Sequence, residues 1–498
     1  MAAEPKEPKS RLSSVLKLCT CSALLLIFSS IVVNLEYIYS NSVNKPSSGA
    51  TPVISVKTKS AKPRNIPDYK PDVDEYSMDT YELIYPDLPP NEGGGPTPAC
   101  HAGTILHMAS GGILAAFFGG EKEGAVDVAI YITFRFPGPN GTWPRTWSYP
   151  RMEAKVELNL PHWNPVLHCG NNYREAQACP GSDLWLFYKT GVRTAEWGCC
   201  GTWKTLFQRS FDGARNWTWG AELVPGDDRG GRGPVKNKIV RLSDGAWLAP
   251  ASLEKDGPWR AFTDRSTDGG QTWTPSADIL VPEGLYENGV IQPTLWESEP
   301  GQVHMLLRSR HAYMKYTAEK AYNAPRSRIF RADSTDGGRT WGVPYPLKLP
   351  NPNSGIDLVK LPHSGTLVLV HNPGFIGRSP LRMSISHDNG VTWPMGYDMV
   401  REPGEFSYPS IISWPDHWQS EGVSVIFTWN RRSMAFFRIS LEELERRANE
   451  TNYLPDEAFV YPYEGEQIPM KKGPKGDLRI DHSKFDKFHK THAAHKDL

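Results

Sequence analysis

Three segments of the chain repeat the pattern S-x-D-x-G-x-x-W, and a fourth segment is a degenerate copy of it. The full copies are Ser266–Trp273, Ser334–Trp341 and Ser386–Trp393, and the degenerate copy is Ser210–Trp217. In each copy the Ser and Asp side chains can hydrogen-bond the backbone of a tight turn, while the Gly supplies a positive φ. The Trp can pack back over the turn. Each copy therefore predicts a β-hairpin.

The spacing of the copies predicts how the hairpins are arranged. They begin about 50–70 residues apart, which is the length of one four-stranded propeller blade. Short alternating or apolar runs recur between Gly, Pro, Asn and Asp clusters over 97–440, without a helical period. The 44 Gly and 43 Pro residues also argue against long helical bundles. We therefore expect 97–440 to form an all-β domain, a six-bladed β-propeller.

The C-terminal part of the chain predicts one helix and a tail. Ser440 is a suitable N-cap, and Glu443 stands at the capping-box position. We expect 441–470 to hold a C-terminal helix and an extension. The last segment, 471–498, is basic and rich in His, which is typical of a disordered tail.

The N-terminal region predicts a membrane anchor. Residues 18–35 carry no charge and are long enough to span a bilayer, and the tail 1–17 before them is basic. We interpret 18–35 as a transmembrane signal anchor, with a cleaved signal peptide as the alternative. The positive-inside rule then leaves 1–17 in the cytosol. The chain is expected to be a single-pass type II membrane protein of the Golgi, secretory pathway or cell surface, with a lumenal or extracellular propeller behind a stem at 36–96.

Charge and cysteine usage exclude several classes of partner. Lys plus Arg and Asp plus Glu both number 55, so no global field favours nucleic acid. An oxidising compartment predicts two disulfides and one free thiol among five cysteines, with the pairing open. No cysteine or histidine spacing matches a metal site, so neither a metal nor another cofactor is expected. These five cysteines are Cys100, Cys169, Cys179, Cys199 and Cys200.

The repeats resemble the Asp boxes of the sialidase (neuraminidase) superfamily, and the resemblance extends over roughly 97–440. It is greatest to the predicted bacterial neuraminidases with such repeats. The segments that carry it begin at Glu123, Trp163, Phe187, Gly233, Asn351 and Ser407. The resemblance implies the propeller fold and suggests action on an acidic sugar, although Asp boxes also occur in propellers that are not enzymes.

Sialidases bind the sugar carboxylate with three arginines, because a planar guanidinium can pair with both oxygens. The resemblance gives Arg308 the place of the second arginine and Arg378 that of the third. His101 stands where the first is expected. Arg135, in Phe-Arg-Phe-Pro, imitates the first motif but follows the first strand pair, so we exclude it from the site.

The nucleophile of sialidases is a tyrosine that a neighbouring glutamate activates. Tyr408, in Phe-Ser-Tyr-Pro-Ser, matches the nucleophile segment, but Gln292 stands where the glutamate is expected. Glu287 and Glu405 are the possible substitutes. Because of this replacement, the sequence leaves open whether Tyr408 acts as the nucleophile of a retaining hydrolysis.

Candidates for the remaining roles come from strand ends. Asp127 and Glu123, in the loop after the first inner strands, are candidate acid/base residues, since a partly buried carboxyl beside other acids can stay protonated. The other candidates lie in segments shared with the predicted neuraminidases and would suit an acidic sugar. They are Lys189, Lys236, Asn237, Lys238, Asn351, Asn353 and Asp357.

These observations lead to three hypotheses about function. The first is a membrane-anchored exo-glycosidase, a sialidase-like hydrolase acting on a terminal anionic sugar of glycans. The second is a polysaccharide lyase on uronate-containing glycans, in which His101 or Tyr408 removes a proton beside the carboxylate. The third is a catalytically silent carbohydrate-binding propeller. In each case the expected partners are an acidic glycan and, through the N-terminal helix, a membrane.

Glycosylation tests the predicted topology. Sequons stand at Asn140, Asn216 and Asn449, all beyond the anchor. If the propeller is lumenal, endoglycosidase treatment of the protein from its own cells should lower its mass on a denaturing gel. An unglycosylated protein whose propeller is digested by protease from the cytosolic side of intact vesicles would contradict this orientation.

Overall fold

The computed structural model describes residues 77–136, 147–170, 177–192, 203–227, 231–254, 258–281, 289–310, 327–375, 377–416, 420–450, 470–472 and 478–480. All of them belong to one compact unit, residues 68–498. Within these ranges, no helix has both the length and the hydropathy needed to cross a bilayer. The predicted anchor, 18–35, lies outside the described residues.

Six four-stranded antiparallel sheets form the blades of a propeller, which confirms the fold expected from the repeats. Blade 1 consists of β2 (Ala99–His107), β3 (Ile113–Gly120), β4 (Ala129–Arg135) and β5 (Arg151–Ala154). Blade 2 consists of β6 (His162–Cys169), β7 (Leu184–Thr190), β8 (Lys204–Ser210) and β9 (Ala221–Glu222). Blade 3 consists of β10 (Val240–Arg241), β11 (Trp247–Leu253), β12 (Arg260–Ser266) and β13 (Thr274–Pro275).

The second half of the chain repeats the same order from inner to outer strand. Blade 4 consists of β14 (Val290–Glu299), β15 (Gln302–Ser309), β16 (Arg328–Ser334) and β17 (Tyr345–Pro350). Blade 5 consists of β18 (Asp357–Lys360), β19 (Leu367–His371), β20 (Leu381–Ser386) and β21 (Met395–Val400). Blade 6 consists of β22 (Phe406–Ser413), β23 (Gly422–Trp429), β24 (Ser433–Ser440) and β1 (Glu82–Leu83).

The N-terminal strand closes the ring. β1 comes first in the chain, yet it is the outermost strand of blade 6 and pairs with β24. The Glu82 carboxylate also accepts hydrogen bonds from Arg135 and Trp147 of blade 1, each at 3.0 Å. β1 lies within 36–96, the segment predicted as stem, so the chain enters the propeller before residue 97. Arg135, which the sequence excludes from the site, serves this closure.

Two elements follow the last blade. Helix α1 (Leu441–Glu450) begins where the capping motif predicts, and the Glu443 backbone donates to Ser440 Oγ at 3.2 Å. Leu444 and Ala448 bury the inner face of α1 in the cluster between blades 5 and 6. Strands β25 (Met470–Lys472) and β26 (Leu478–Ile480) form a separate antiparallel pair.

Each Asp box joins the third strand of its blade to the fourth. In blade 3, Ser266 Oγ donates to Asp268 and accepts from the Gly270 backbone, both at 2.8 Å. Thr272 donates to the same carboxylate from its backbone and its hydroxyl, and these hydrogen bonds lower the pKa of Asp268 to about 2. The degenerate copy in blade 2 keeps the geometry, with Ala214 at φ 65° in place of the Gly.

Apolar packing joins each blade to the next. Six clusters of buried apolar side chains each span two neighbouring blades, including blades 6 and 1. The Asp-box tryptophans take part: Trp273 lies edge-on to Phe187 of blade 2, and Trp341 donates to Thr263 of blade 3 at 3.0 Å. These Trp side chains therefore stabilise the preceding blade as well as their own turn.

One of the expected disulfides is present among the described residues. Cys169 and Cys179 are bonded and join the end of β6 to the loop that precedes β7. Cys100 is buried and free. Cys199 and Cys200 lie outside the described residues, so the second pairing stays a prediction.

Trp273 tests the structural role of the Asp boxes. Its side chain is only 8% exposed, so Trp273→Ala should lower the free energy of unfolding by about 3–5 kcal/mol. Trp219, which follows the box of blade 2 and is 81% exposed, is the matched control and should tolerate alanine. Urea unfolding of both variants measures the difference, and equal losses would contradict a packing role for Trp273.

Candidate active site

Four inner strands carry the same irregularity near their first residues. β2, β6, β14 and β22 each have a register shift there. At each shift a non-glycine residue adopts a positive φ: Ala102 (54°), Asn164 (36°), Gln292 (50°) and Tyr408 (52°). Such a backbone costs free energy and is concentrated at functional sites, where a bulge aims a side chain. The end of the propeller where the inner strands begin is therefore the candidate active site.

Tyr408 lies at the centre of this end. Its hydroxyl accepts a hydrogen bond from Arg308 Nη1 at 2.5 Å, and its side chain is 8% exposed. The His101 ring packs against it with 4.0 Å between centroids. The structure thus brings together three residues that the sequence selects from blades 1, 4 and 6.

Arg308 is buried among neutral partners. Its Nε and Nη2 donate to Asn353 Oδ1 at 3.0 and 2.8 Å, and Nη1 donates to Gln292 Oε1 at 2.7 Å. The guanidinium also stacks over Trp259, 5.5 Å from the ring centre. All of its hydrogen-bond acceptors in the described part of the chain are uncharged, although the side chain is only 5% exposed.

Arg378 approaches Tyr408 from blade 5. Its guanidinium lies 5.4 Å from the centre of the Tyr408 ring and donates from Nη1 to Glu405 at 2.8 Å. Burial lowers its pKa, and the neighbouring Arg308 and Arg431 add to that effect. Its Nε has no acceptor among the described residues. Nη2 has one long hydrogen bond, to the Asn353 carbonyl at 3.4 Å, so Nε and Nη2 form the side of the guanidinium to which a ligand carboxylate can bind.

A third arginine, Arg431, completes the group, and sequence reasoning missed it. It lies in the turn between β23 and β24 at φ 60° and donates from Nε to Glu405 at 2.7 Å and from Nη1 to Glu123. Burial acts to lower its pKa, but Glu123 and Glu405 outweigh that effect and raise it. We call Arg308, Arg378 and Arg431 the arginine cluster.

The two acid/base candidates have different environments. Glu123 is half-buried and paired with Arg431. Asp127 is exposed, and its described contact is a hydrogen bond from the Glu121 backbone at 2.8 Å, which closes its own loop. The structure therefore brings Glu123 to the arginine cluster and leaves Asp127 outside it.

His101 is buried without a hydrogen-bond partner for either ring nitrogen among the described residues. Its side chain is 1% exposed. Burial lowers its pKa well below the ordinary value, and the arginine cluster and Lys236 add to the effect. His101 is therefore a neutral imidazole at physiological pH.

A further carboxyl that the sequence did not single out faces the same end. Glu254 follows β11 and is half-buried. Burial raises its pKa, although Arg308, Arg310 and Lys189 act in the opposite direction. A carboxyl with a raised pKa can remain protonated near neutrality and donate a proton. Glu254 is thus a described carboxyl suited to that role.

Four of the predicted binding residues instead join blades along the propeller axis. Asp357 is fully buried and accepts from Lys238 Nζ at 3.0 Å, from Thr294 Oγ1 at 2.8 Å and from the Ile411 backbone at 3.0 Å. Its partners lie in blades 3, 4 and 6. We call this group, with Lys236 and Asn237, the axial network.

Lys236 and Asn237 tie the axial network to the bulges. Lys236 Nζ donates to Asn237 Oδ1 at 2.8 Å, to the Ile356 carbonyl at 3.0 Å and to the Pro409 carbonyl at 2.5 Å. Burial lowers its pKa to about 7, against the effect of Asp357. Asn237 Nδ2 donates to the carbonyls on both sides of the Gln292–Pro293 bond.

Lys189 and Asn351 also have structural partners. Lys189 is fully buried and donates to Thr205 Oγ1 at 2.6 Å and to the Arg232 carbonyl at 2.8 Å. Burial lowers its pKa to about 7. Asn351 donates to the Ser354 carbonyl at 3.0 Å and shapes the turn that presents Asn353. Of the predicted binding residues, Arg308 hydrogen-bonds Tyr408, and Arg378 lies over its ring. Asn353 and Gln292 are the other acceptors of Arg308.

A separate cavity lies away from this site. It has a volume of about 940 Å³ and is lined by the β2–β3 turn, the Cys179 loop and the Asp box of blade 2. None of the residues around Tyr408 lines it.

Comparison with known proteins gives a family and a fold. Residues 111–421 match the family described as BNR repeat-like domain. No curated protein matches the chain. Among solved structures, the fold is similar to that of the Hadza microbial sialidase Hz136, at 15% identity and a TM-score of 0.55 over 73% of this chain and 69% of that one.

Two more structures show the same similarity. The NanB sialidase of Streptococcus pneumoniae has 13% identity and a TM-score of 0.53 over 74% of this chain and 71% of that one. A protein of unknown function from Dyadobacter fermentans has 15% identity and a TM-score of 0.54 over 73% of this chain and 98% of that one. At these identities the similarity shows the fold.

Asp357→Asn tests whether the axial network is structural. The change keeps the shape but removes the buried negative charge that Lys238 binds, so the free energy of unfolding should fall by about 3–5 kcal/mol. Glu222→Gln, which breaks the exposed pair with Lys204, is the control and should cost at most about 1 kcal/mol. Thermal melting compares the two variants. If Asp357→Asn melts like the wild type, Asp357 is not a structural anchor.

Proposed function

The chain belongs to the BNR repeat-like domain family, and on that premise we propose that it binds the carboxylate of an anionic sugar in a glycan and cleaves an adjoining glycosidic bond. The arginine cluster binds the carboxylate. Tyr408 carries the reaction, and Glu254 is the available proton donor. The solved structures of similar fold that are titled sialidases support an acidic sugar as the substrate class.

The observation that carries this proposal is the charge state around Tyr408. Glu405 pairs with Arg378 and Arg431, and Glu123 pairs with Arg431, but Arg308 has only neutral described acceptors. A buried cation whose hydrogen bonds all go to neutral groups is costly. A ligand carboxylate beside Arg308 and Arg378 would supply the missing negative charge, and charge-assisted hydrogen bonds would hold it.

Hydrolysis in the manner of sialidases is the reaction that the fold suggests first, with a terminal sialic acid or a related acid as the sugar. It requires a base beside the tyrosine nucleophile. Gln292 accepts from Arg308 near Tyr408, and Glu405 is bound to two arginines. Glu287, the other possible substitute, lies outside the described residues. The geometry thus supports carboxylate binding more directly than it supports a tyrosine nucleophile.

We also propose that the propeller is lumenal or extracellular and anchored by 18–35, as a type II membrane protein. The support is the uncharged 18–35 segment behind a basic tail and the disulfide Cys169–Cys179, which forms in oxidising compartments. In such a compartment the open side of the arginine cluster would meet acidic glycans.

Arg378→Lys tests the carboxylate site. Lysine keeps the charge and loses the planar pair of donors, so affinity for N-acetylneuraminate or galacturonate should fall about 10- to 100-fold, the equivalent of hydrogen bonds to a charged group. The melting temperature should change little. Titration calorimetry beside thermal melting measures both quantities.

Arg382 provides the matched control for this variant. It pairs through two nitrogens with Asp398 on the outer strands of the same blade, so Arg382→Lys should melt earlier and bind the sugar acids normally. If Arg378→Lys melts early and binds normally, that arginine is structural and the proposed carboxylate site is wrong.

A further inference from the structure

The surroundings of Tyr408 restrict the chemistry that it can perform. Its hydroxyl receives the Arg308 hydrogen bond, and no carboxylate oxygen of the described residues lies within hydrogen-bonding distance of it. Two guanidiniums and one amino group lie over its ring: Arg308 and Arg378 at 5.4 Å and Lys236 at 5.8 Å. Tyr408 is therefore placed beside positive charge rather than beside a base.

The two candidate proton-transfer groups differ in their contacts. Burial and the neighbouring cations lower the pKa of His101, so His101 is suited to remain neutral. The Tyr408 oxygen instead accepts a charge-assisted hydrogen bond from Arg308. Tyr408 is therefore the group placed to take a proton from a substrate.

We propose that the bond is cleaved by β-elimination, that the bound sugar is a 4-linked uronate, and that Tyr408 is the catalytic base. This inference rests on the proposed function. The arginine cluster neutralises the carboxylate, which makes the proton on the adjacent carbon, C5, acidic and stabilises the charge that develops when it leaves. His101 packs on the Tyr408 ring and holds it in place.

The step balances without a co-reactant. The Tyr408 oxygen, as the phenolate that Arg308 stabilises, takes the C5 proton. The electron pair of the C5–H bond forms the C4=C5 double bond as the C4–O bond breaks. The departing oxygen then takes the proton from Tyr408. The products are an unsaturated uronate and a sugar with a free hydroxyl, and the base is regenerated.

The substitution at position 292 is consistent with this reaction. A glutamate in place of Gln292 would pair with Arg308 and compete with both the substrate carboxylate and the Tyr408 oxygen for that guanidinium. The glutamine amide instead accepts one hydrogen bond at 2.7 Å and leaves the positive charge available. Elimination needs that charge at the carboxylate, whereas a tyrosine nucleophile needs the glutamate.

Product analysis tests the inference. The full chain is incubated with polygalacturonate, polymannuronate, heparosan and sialyllactose in isotopically labelled water. We expect products from a uronate polymer that absorb in the ultraviolet and contain no oxygen from the solvent. Tyr408→Phe should lower this rate by about 10²- to 10⁴-fold, the usual contribution of a general base.

Tyr188→Phe is the matched control. Like Tyr408→Phe, it removes the hydroxyl of a buried tyrosine, but the Tyr188 hydroxyl has no described hydrogen-bond partner. Tyr188→Phe should therefore leave the rate unchanged. Its melting temperature should be close to that of Tyr408→Phe. Saturated products that carry solvent oxygen would overturn elimination and leave the proposed function standing. No cleavage of any of the four substrates would overturn both, and full activity of Tyr408→Phe would overturn the role of Tyr408.

Discussion

The buried carboxylate of Asp357 is the interaction on which the rest of the propeller depends. In a closed ring the inner strands bring backbone and side-chain polar groups to one axis, where each needs a partner because water is scarce. Asp357 accepts from Lys238 of blade 3, Thr294 of blade 4, its own neighbour Leu358 and the Ile411 backbone of blade 6. One carboxylate thus fixes the relative positions of four blades, and the apolar clusters between blades stabilise that arrangement.

The candidate site is built directly on this axial network. Lys236 donates to the Pro409 carbonyl, which belongs to the bulge that holds Tyr408 at a positive φ. Asn237 donates in the same way to the Gln292 and Pro293 carbonyls, which belong to the bulge at Gln292. Such backbone conformations persist only where their surroundings over-determine them. Lys236 and Asn237, which the sequence marks as ligands for an acidic sugar, therefore place Tyr408 and Gln292. In the proposed function the arginine cluster makes the ligand contacts.

Local patterns in the sequence predict the parts of this structure that local physics determines. An Asp box needs only its own Ser, Asp, Gly and Thr to form its turn, so the boxes, their blades and the cap of α1 follow from short motifs. Tyr408 and Arg308 follow from motif resemblance. Arg431 could not be found in this way, because it reaches the site only when blade 6 closes against blade 1 and brings the β23–β24 turn beside His101. One clue to Arg431 was available: in a six-bladed ring, the β23–β24 hairpin of the last blade lies next to the first strand of blade 1.

Closure of the ring also explains two other differences between the structure and the sequence-based prediction, the place of β1 and the position of Glu123. β1 is only two residues long and lies in a segment without a strand period, and its place is determined by pairing with β24 and by the Glu82 contacts with blade 1. Glu123 rather than Asp127 faces the site because Arg431 binds it. With Arg431 balanced by two carboxylates and Arg378 sharing one of them, the charge of Arg308 remains for the ligand. A glutamate at position 292 would have neutralised it in the free protein. Because the chain has glutamine there, under the proposed function the substrate carboxylate would complete the charge balance around Tyr408, and binding and activation of the substrate would be the same event.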